Sequence, residues 1–357
     1  MDPRISRHAE ILVDYCTDVG ADDDVLVTAP PAAEDLVVAL YEKLGEHGAR
    51  PKTAMSSSRA GRAYARAMDV DQFRTKEHAL AEMEATDVAI FVQAGRNASE
   101  TSDVDPGKST ASRRADQPIL EERLDSTRWV ITQHPTPADA QRAEMSTAAW
   151  TDYVYDAIDR DWADLRAFQE RLAAVLDDAS EVRIVADGTD VRMSVEGMAA
   201  ASDHGKRNMP GGEVFTSPVV DSVEGEVTFD VPLYRDGREI RDVRLVFEDG
   251  EVVDYGAAAG EAVVEGVLDT DAGARRVGEL GIGTNQGVDT ATGNLLFDEK
   301  MGDTVHLALG TAMEECVPDD REFNQSAAHV DMLVDVSEDA RVEVDGEPFK
   351  VDGEFVV

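Results

Sequence analysis

The 357 residues carry 74 Asp and Glu against 34 Lys and Arg, a formal net charge of −40. A chain of this length exceeds one small core, and its 42% hydrophobic content, with acid spread along the whole length, excludes a disordered acidic tail. The bases form no patch, so nucleic acid and anionic membranes are excluded as partners.

Residues 4–18 place Ile5, Ala9, Ile11, Leu12 and Tyr15 at helical spacing among charges, which predicts a helix and excludes a signal peptide. Residues 21–30 read as a short buried strand behind an acidic turn, and 32–49 as a helix closed by Gly48. Residues 87–95 and 126–134 repeat the strand pattern, with Ala-, Leu- and Glu-rich helical segments between. This alternation predicts an N-terminal α/β domain whose parallel sheet is covered on both faces. Residues 96–118, polar and poor in hydrophobics, read as a long surface loop or a loop with a short helix. Residues 162–180 form an amphipathic helix with Leu165, Phe168, Leu172, Val175 and Leu176 on one face. The domain boundary falls near its end, dividing the chain into 1–180 and 181–357.

Beyond residue 180 the segments alternate and turn at Asp-Gly or Glu-Gly pairs, which predicts mixed or antiparallel sheet. One helix, 261–279, interrupts the strands, so the C-terminal domain is α+β. The fold class is therefore α/β plus α+β.

Five residues of this second domain carry chemistry: Glu213, Glu279, His306, His329 and Asp331. An acid in a chain so rich in acids is by default a solvated surface group. The context GGEVF, however, sets Glu213 between glycines and a buried Val-Phe pair, where a carboxylate needs a partner. Glu279 ends the predicted helix, where its charge opposes the dipole unless a cation is close. Histidine discriminates better, because there are only seven. His306 lies in an otherwise apolar or glycine run, and His329 and Asp331, two apart on a strand, face the same way. A single histidine on an apolar face is more often a satisfied core residue; the joint occurrence carries the argument. Mixed imidazole and carboxylate donors suit zinc, cobalt or manganese rather than calcium or magnesium.

In order, the segments TPADAQRAEMSTAAWTDYVYDAI, NMPGGEVFTSP, EGEVTFD, DTDAGARRVGELGIGTN, LLFDEK, HLALG and NQSAAHVDM closely resemble the thermophilic-type metalloaminopeptidases, the aminopeptidase T and aminopeptidase S family. The N-terminal half resembles that family more loosely. The resemblance implies that Glu213, Glu279, His306, His329 and Asp331 ligate two divalent ions, zinc or in its place cobalt or manganese. It implies removal of N-terminal residues, apolar and leucine-like, from peptide substrates, and a homodimer. Glu279 is expected nearest both ions and as the catalytic carboxylate. In the family a tyrosine follows the first ligand histidine by seven residues; here that position is Met313, and Lys300 replaces an asparagine. A thioether donates no hydrogen bond. This departure supports a rival reading, a metal-binding structural or regulatory dimer with impaired catalysis. A dinuclear phosphoesterase is a third, disfavoured by the lack of a phosphate-binding loop or basic cluster.

The charge predicts an environment as well. Like charges scarcely interact at molar salt, where the Debye length is about 3 Å, so the expected setting is the cytoplasm of a halophile. No stretch approaches the ~20 apolar residues of a membrane span. Cys16 and Cys316 are expected as reduced thiols in different domains.

Overall fold

The computed structural model describes residues 2–235 and 238–357. By packing, the chain falls into two units, Met1–Asp159 with Gly205–Met209, and Arg160–His204 with Pro210–Val357.

The first unit is the expected parallel α/β structure. Its strands are β1 (Asp24–Ala29), β2 (Arg50–Met55), β3 (Val88–Gln93) and β4 (Arg128–Gln133). Helix α1 (Pro3–Glu10) continues as a π-helical turn through Ile11–Cys16, and α2 (Glu34–His47) ends at Gly48 in the left-handed conformation, as its position after the apolar repeat predicted. All strand pairs are parallel, in the order β2-β1-β3-β4, extended beyond β4 by the short Asn208–Met209 segment. Strand β2 has no apolar alternation because it lies at the sheet edge, where Pro51 costs no ladder hydrogen bond.

Residues 96–118 match the second alternative, a loop followed by a helix, except that the helix is long rather than short. A 21-residue helix, Pro106–Ser126, begins inside that stretch. Asp105 caps it by accepting from Gly107 N–H, and Pro106 stands in its first turn. None of its residues is fully buried, so no apolar stripe announces it.

The second unit begins earlier than residue 180. Helix Trp162–Asp177 belongs to it because Leu172 and Leu176 pack into the C-terminal core. That core joins two antiparallel sheets. The larger is nine-stranded and includes the hairpins Arg238–Glu248 with Glu251–Ala259, and Arg341–Val344 with Glu347–Val351. Both turn at Asp-Gly: Asp249 and Gly250 have φ of 50° and 76°, and Asp345 and Gly346 have 50° and 82°. Positive φ at both central positions matches the twist of the flanking strands.

The smaller sheet holds the candidate residues. Its strands are β5 (Ala200–Asp203), β6 (Glu213–Thr216), β7 (Val277–Gly283), β8 (Thr304–Gly310) and β9 (His329–Asp335), in the order β9-β8-β7-β6-β5. The helix expected over 261–279 stops at Leu268; a 3₁₀ turn follows at Ala272–Arg275, and Glu279 lies in the buried strand β7. Glu279 therefore opposes no helix dipole. The strand was masked by glycines at 278, 281 and 283, which are unfavourable in strands on propensity alone. Cys16 and Cys316 are both buried, one in each unit, and neither forms a disulfide among the described residues.

Candidate metal centre

Side chains alternate across the small sheet. One face, with Val214, Leu280, Ile282, Val305, Leu307 and Val330 among its residues, is packed into the hydrophobic core. The other collects the five candidates. In register across the strands, Glu279 lies opposite Ala308 and Ala308 opposite Asp331. His306 lies opposite Gly281, His329 opposite Gly310, and Glu213 opposite Gly283. Each large polar side chain thus faces glycine or alanine on a neighbouring strand. At Gly281 the vacancy is required, since a Cβ there would lie 2.0 Å from His306 Nε2.

The structure brings all five together. Donor atoms of Glu279, His306 and Asp331 all lie within 4.8 Å of one another. His306 Nε2 is 3.6 Å from both Glu213 Oε2 and Glu279 Oε1. His329 Nε2 is 3.2 Å from Glu279 Oε2 and 3.4 Å from Asp331 Oδ1. Glu279 thus sits at the middle, one oxygen towards each imidazole. His329 Nδ1 is 3.1 Å from the Thr311 carbonyl, which only accepts, so Nδ1 carries the hydrogen and Nε2 turns a lone pair towards the cluster when the ring is neutral. Glu213, Glu279, His306 and Asp331 are buried, whereas the His329 side chain is 32% exposed and marks the open side. Beside His329 and Asp331 lies a cavity of about 100 Å³, lined by Pro232, Leu233, Leu295 and Leu333 with Arg235 and Asp298.

The electrostatics call for positive charge. Burial alone would raise Glu279, but the hydrogen bonds and charges of His306 and His329 hold it down at about 2. Burial alone would lower both histidines; Glu279 with Glu213 lifts His306 to about 9, and Asp331 with Glu279 lifts His329 to about 11. Burial pushes Glu213 up to about 8. Glu213 Oε2 is buried without a hydrogen-bond partner, although it is aimed at His306 Nε2. Three carboxylates and two imidazoles converge with a single ammonium, that of Lys300 on Glu213, beside them, a donor set that fits a divalent cation of borderline softness.

Sequence reasoning missed the neighbours of Glu213. The Lys300 side chain is fully buried and its ammonium contacts Glu213 Oε1, Glu299 Oε1 at 2.8 Å and Asp203 Oδ2 at 3.3 Å. Asp203 stands opposite Glu213 in the sheet register. A lysine in a chain with only seven of them was the available signal, but nothing in FDEKMG marks it as buried. Met313 is pinned by its N–H to Ser217 Oγ at 3.0 Å, just past the end of β6.

A family described as thermophilic metalloprotease (M29) matches residues 1–355. Aminopeptidase 2 of Geobacillus stearothermophilus is 29% identical over 93% of this chain and 92% of its own. Aminopeptidase T of Thermus aquaticus is 37% identical over 39% of this chain and 36% of its own. The solved structure of wild-type AmpT from Thermus thermophilus superposes with a TM-score of 0.88 at 24% identity, covering 99% of both chains, and so has the same fold.

Proposed function

The chain belongs to the thermophilic metalloprotease (M29) family, and from that premise we propose that Glu213, Glu279, His306, His329 and Asp331 hold two divalent ions with which it releases N-terminal residues from peptides. It is a metalloaminopeptidase. The observation that carries the two-ion reading is the position of Glu279, whose two oxygens face different imidazoles, each accompanied by a further carboxylate. Five carboxylates in and around the site, Asp203, Glu213, Glu279, Glu299 and Asp331, less the one ammonium of Lys300, leave four negative charges, the complement of two divalent cations. The donor types favour zinc, with cobalt or manganese able to replace it.

Bound in this cluster, divalent ions lower the pKa of water towards neutrality and polarise the scissile carbonyl. The residues do the rest. Glu279 keeps the two halves of the site in fixed relation and accepts the proton of the attacking water. His329, on the exposed side, flanks the route by which a peptide end arrives. The substrate's free α-amine, once deprotonated, has a lone pair that a bound ion would accept, which favours exopeptidase over endopeptidase action. The cavity lined by Leu233, Leu295 and Leu333 receives an apolar, leucine-like first side chain. We extend the proposal to a homodimer, on family grounds, and to a halophile's cytoplasm, on charge.

The test is leucine release from leucinamide by purified protein in molar potassium chloride with zinc or cobalt. Activity is expected, and a chelator should abolish it. Glu279→Gln should cost at least roughly 100-fold, since even partners that only orient a ligand cost 10- to 100-fold. Absence of turnover with two ions bound would overturn the peptidase reading in favour of a non-catalytic metal protein. Equal cleavage of an N-acetylated peptide would overturn the exopeptidase reading.

A further inference from the structure

The structure assigns Lys300 a part in metal binding: we propose that its ammonium reserves Glu213 Oε1, so that the ion drawing on Glu213 is held there by one oxygen and is the weaker of the two. The inference rests on the two-ion reading above. Lys300 is fully buried, and its ammonium touches Glu213, Glu299 and Asp203 but neither Glu279 nor Asp331 among the described ion pairs. The asymmetry is geometric. Among the described residues, Glu279 and Asp331 form ion pairs with histidines alone and with no lysine or arginine, Arg235 only lining the cavity beyond them, whereas Glu213, on the His306 side, shares its carboxylate with the fixed ammonium of Lys300. An ammonium hydrogen-bonded to a ligand oxygen removes that lone pair from coordination. It also stands a few ångströms from where a second cation must enter, and like charges at that range in a buried site repel strongly. Glu213 Oε2 stays available, buried and without a hydrogen-bond partner, on the side facing His306.

Lys300 is in this sense a specificity-determining neighbour: it keeps one ion resident and the other exchangeable. Asp203 and Glu299 moderate the effect by dividing the ammonium with Glu213.

Metal-free full-length protein is titrated with zinc alone at pH 8 in molar potassium chloride, with stoichiometry read by elemental analysis. Wild type is expected to bind two ions in steps at least about tenfold apart in affinity. Lys300→Met should tighten the weaker step by about tenfold or more and leave the tighter step within about threefold. Asp203→Asn should act in the opposite direction, concentrating the ammonium on Glu213 and weakening the weaker step; it keeps the question answerable if the methionine variant fails to fold. Two equal steps in wild type would overturn the inference and leave the two-ion reading standing. A weaker step unmoved by both substitutions would make Lys300 a packing element and overturn it as well. Fewer than two ions in wild type and in Lys300→Met alike would overturn both.

Discussion

Gly281 stands directly across from His306 in adjacent strands, and a methyl group at the glycine would fall 2.0 Å from the imidazole Nε2. The glycine is therefore the floor on which the histidine lies. Gly281→Ala must displace the ring from the position where it meets Glu213 and Glu279. Zinc affinity is expected to fall by roughly 100-fold, with destabilisation of about 1–3 kcal/mol from overpacking. Calorimetric zinc titration and urea melts measure the two effects; undiminished zinc affinity would show that the imidazole is not held by this contact.

His8 gives a pH dependence remote in sequence from the five cluster residues. It is 1% exposed, its Nε2 is 2.7 Å from Thr132 Oγ1, and that hydroxyl donates to the Met209 carbonyl. Thr132 therefore accepts from His8, which is neutral with Nε2 protonated. Burial, helped by the charge of His134, pushes its pKa from 6.5 down to about 3. Between these values the unfolded chain binds a proton that the folded chain refuses, so stability is lost as pH falls through this window. The slope approaches about 1.4 kcal/mol per pH unit from this residue. His8→Gln should flatten the acid limb of stability against pH between about 3 and 6.5, relative to wild type. Parallel curves would mean that the folded protein accepts the proton.

Met313 occupies the position where the family resemblance leads one to expect a tyrosine, and its backbone is anchored to Ser217. Met313→Tyr should raise the turnover number on leucinamide by about tenfold or more, because an added oxyanion donor is worth roughly 100- to 1,000-fold when ideally placed. KM and zinc stoichiometry should not move. An unchanged turnover number would mean that residue 313 does not face the reacting carbonyl.

The net charge of −40 predicts a melting temperature that climbs steeply as potassium chloride rises to molar concentration. Several of the ion pairs present, such as Arg244 with Glu226 and Asp254, are exposed and contribute little once salt screens them. The gain comes from relieving repulsion among the excess acids. A salt-independent melting curve would contradict the halophile reading.

The parts legible in the sequence are those where one local rule decides. Gly48 ends a helix because the apolar repeat stops before it, and Asp249-Gly250 turns a hairpin because both residues accept positive φ. His329 and Asp331 share a face because strands alternate. Strand β7 reads as helix in the sequence because its glycines answer to close neighbours rather than to strand propensity: Gly281 to the His306 imidazole, Gly278 and Gly283 to backbone carbonyls of Gly310, Thr311 and Met301. The length of helix 106–126 was not legible, because a helix without a buried residue has no apolar period to detect. Lys300 was recognised only as a departure from the family, because burial of a lone lysine is decided by the tertiary placement of Glu213, Asp203 and Glu299.

The two faces of the small sheet have a consequence for how faithfully this protein is made. Core and chemistry alternate residue by residue along β7, β8 and β9, so slipping one of these strands by a single position would exchange them. Glu279, His306 or Asp331 would then point into hydrocarbon, and leucine or valine into the polar cluster. Buried unpaired carboxylates cost more than a folded domain's typical margin of stability allows. A chain with a scrambled centre would fail to fold and be removed with other unfolded material. Proofreading of the centre is thus built into folding: molecules that reach the compact state have already passed inspection.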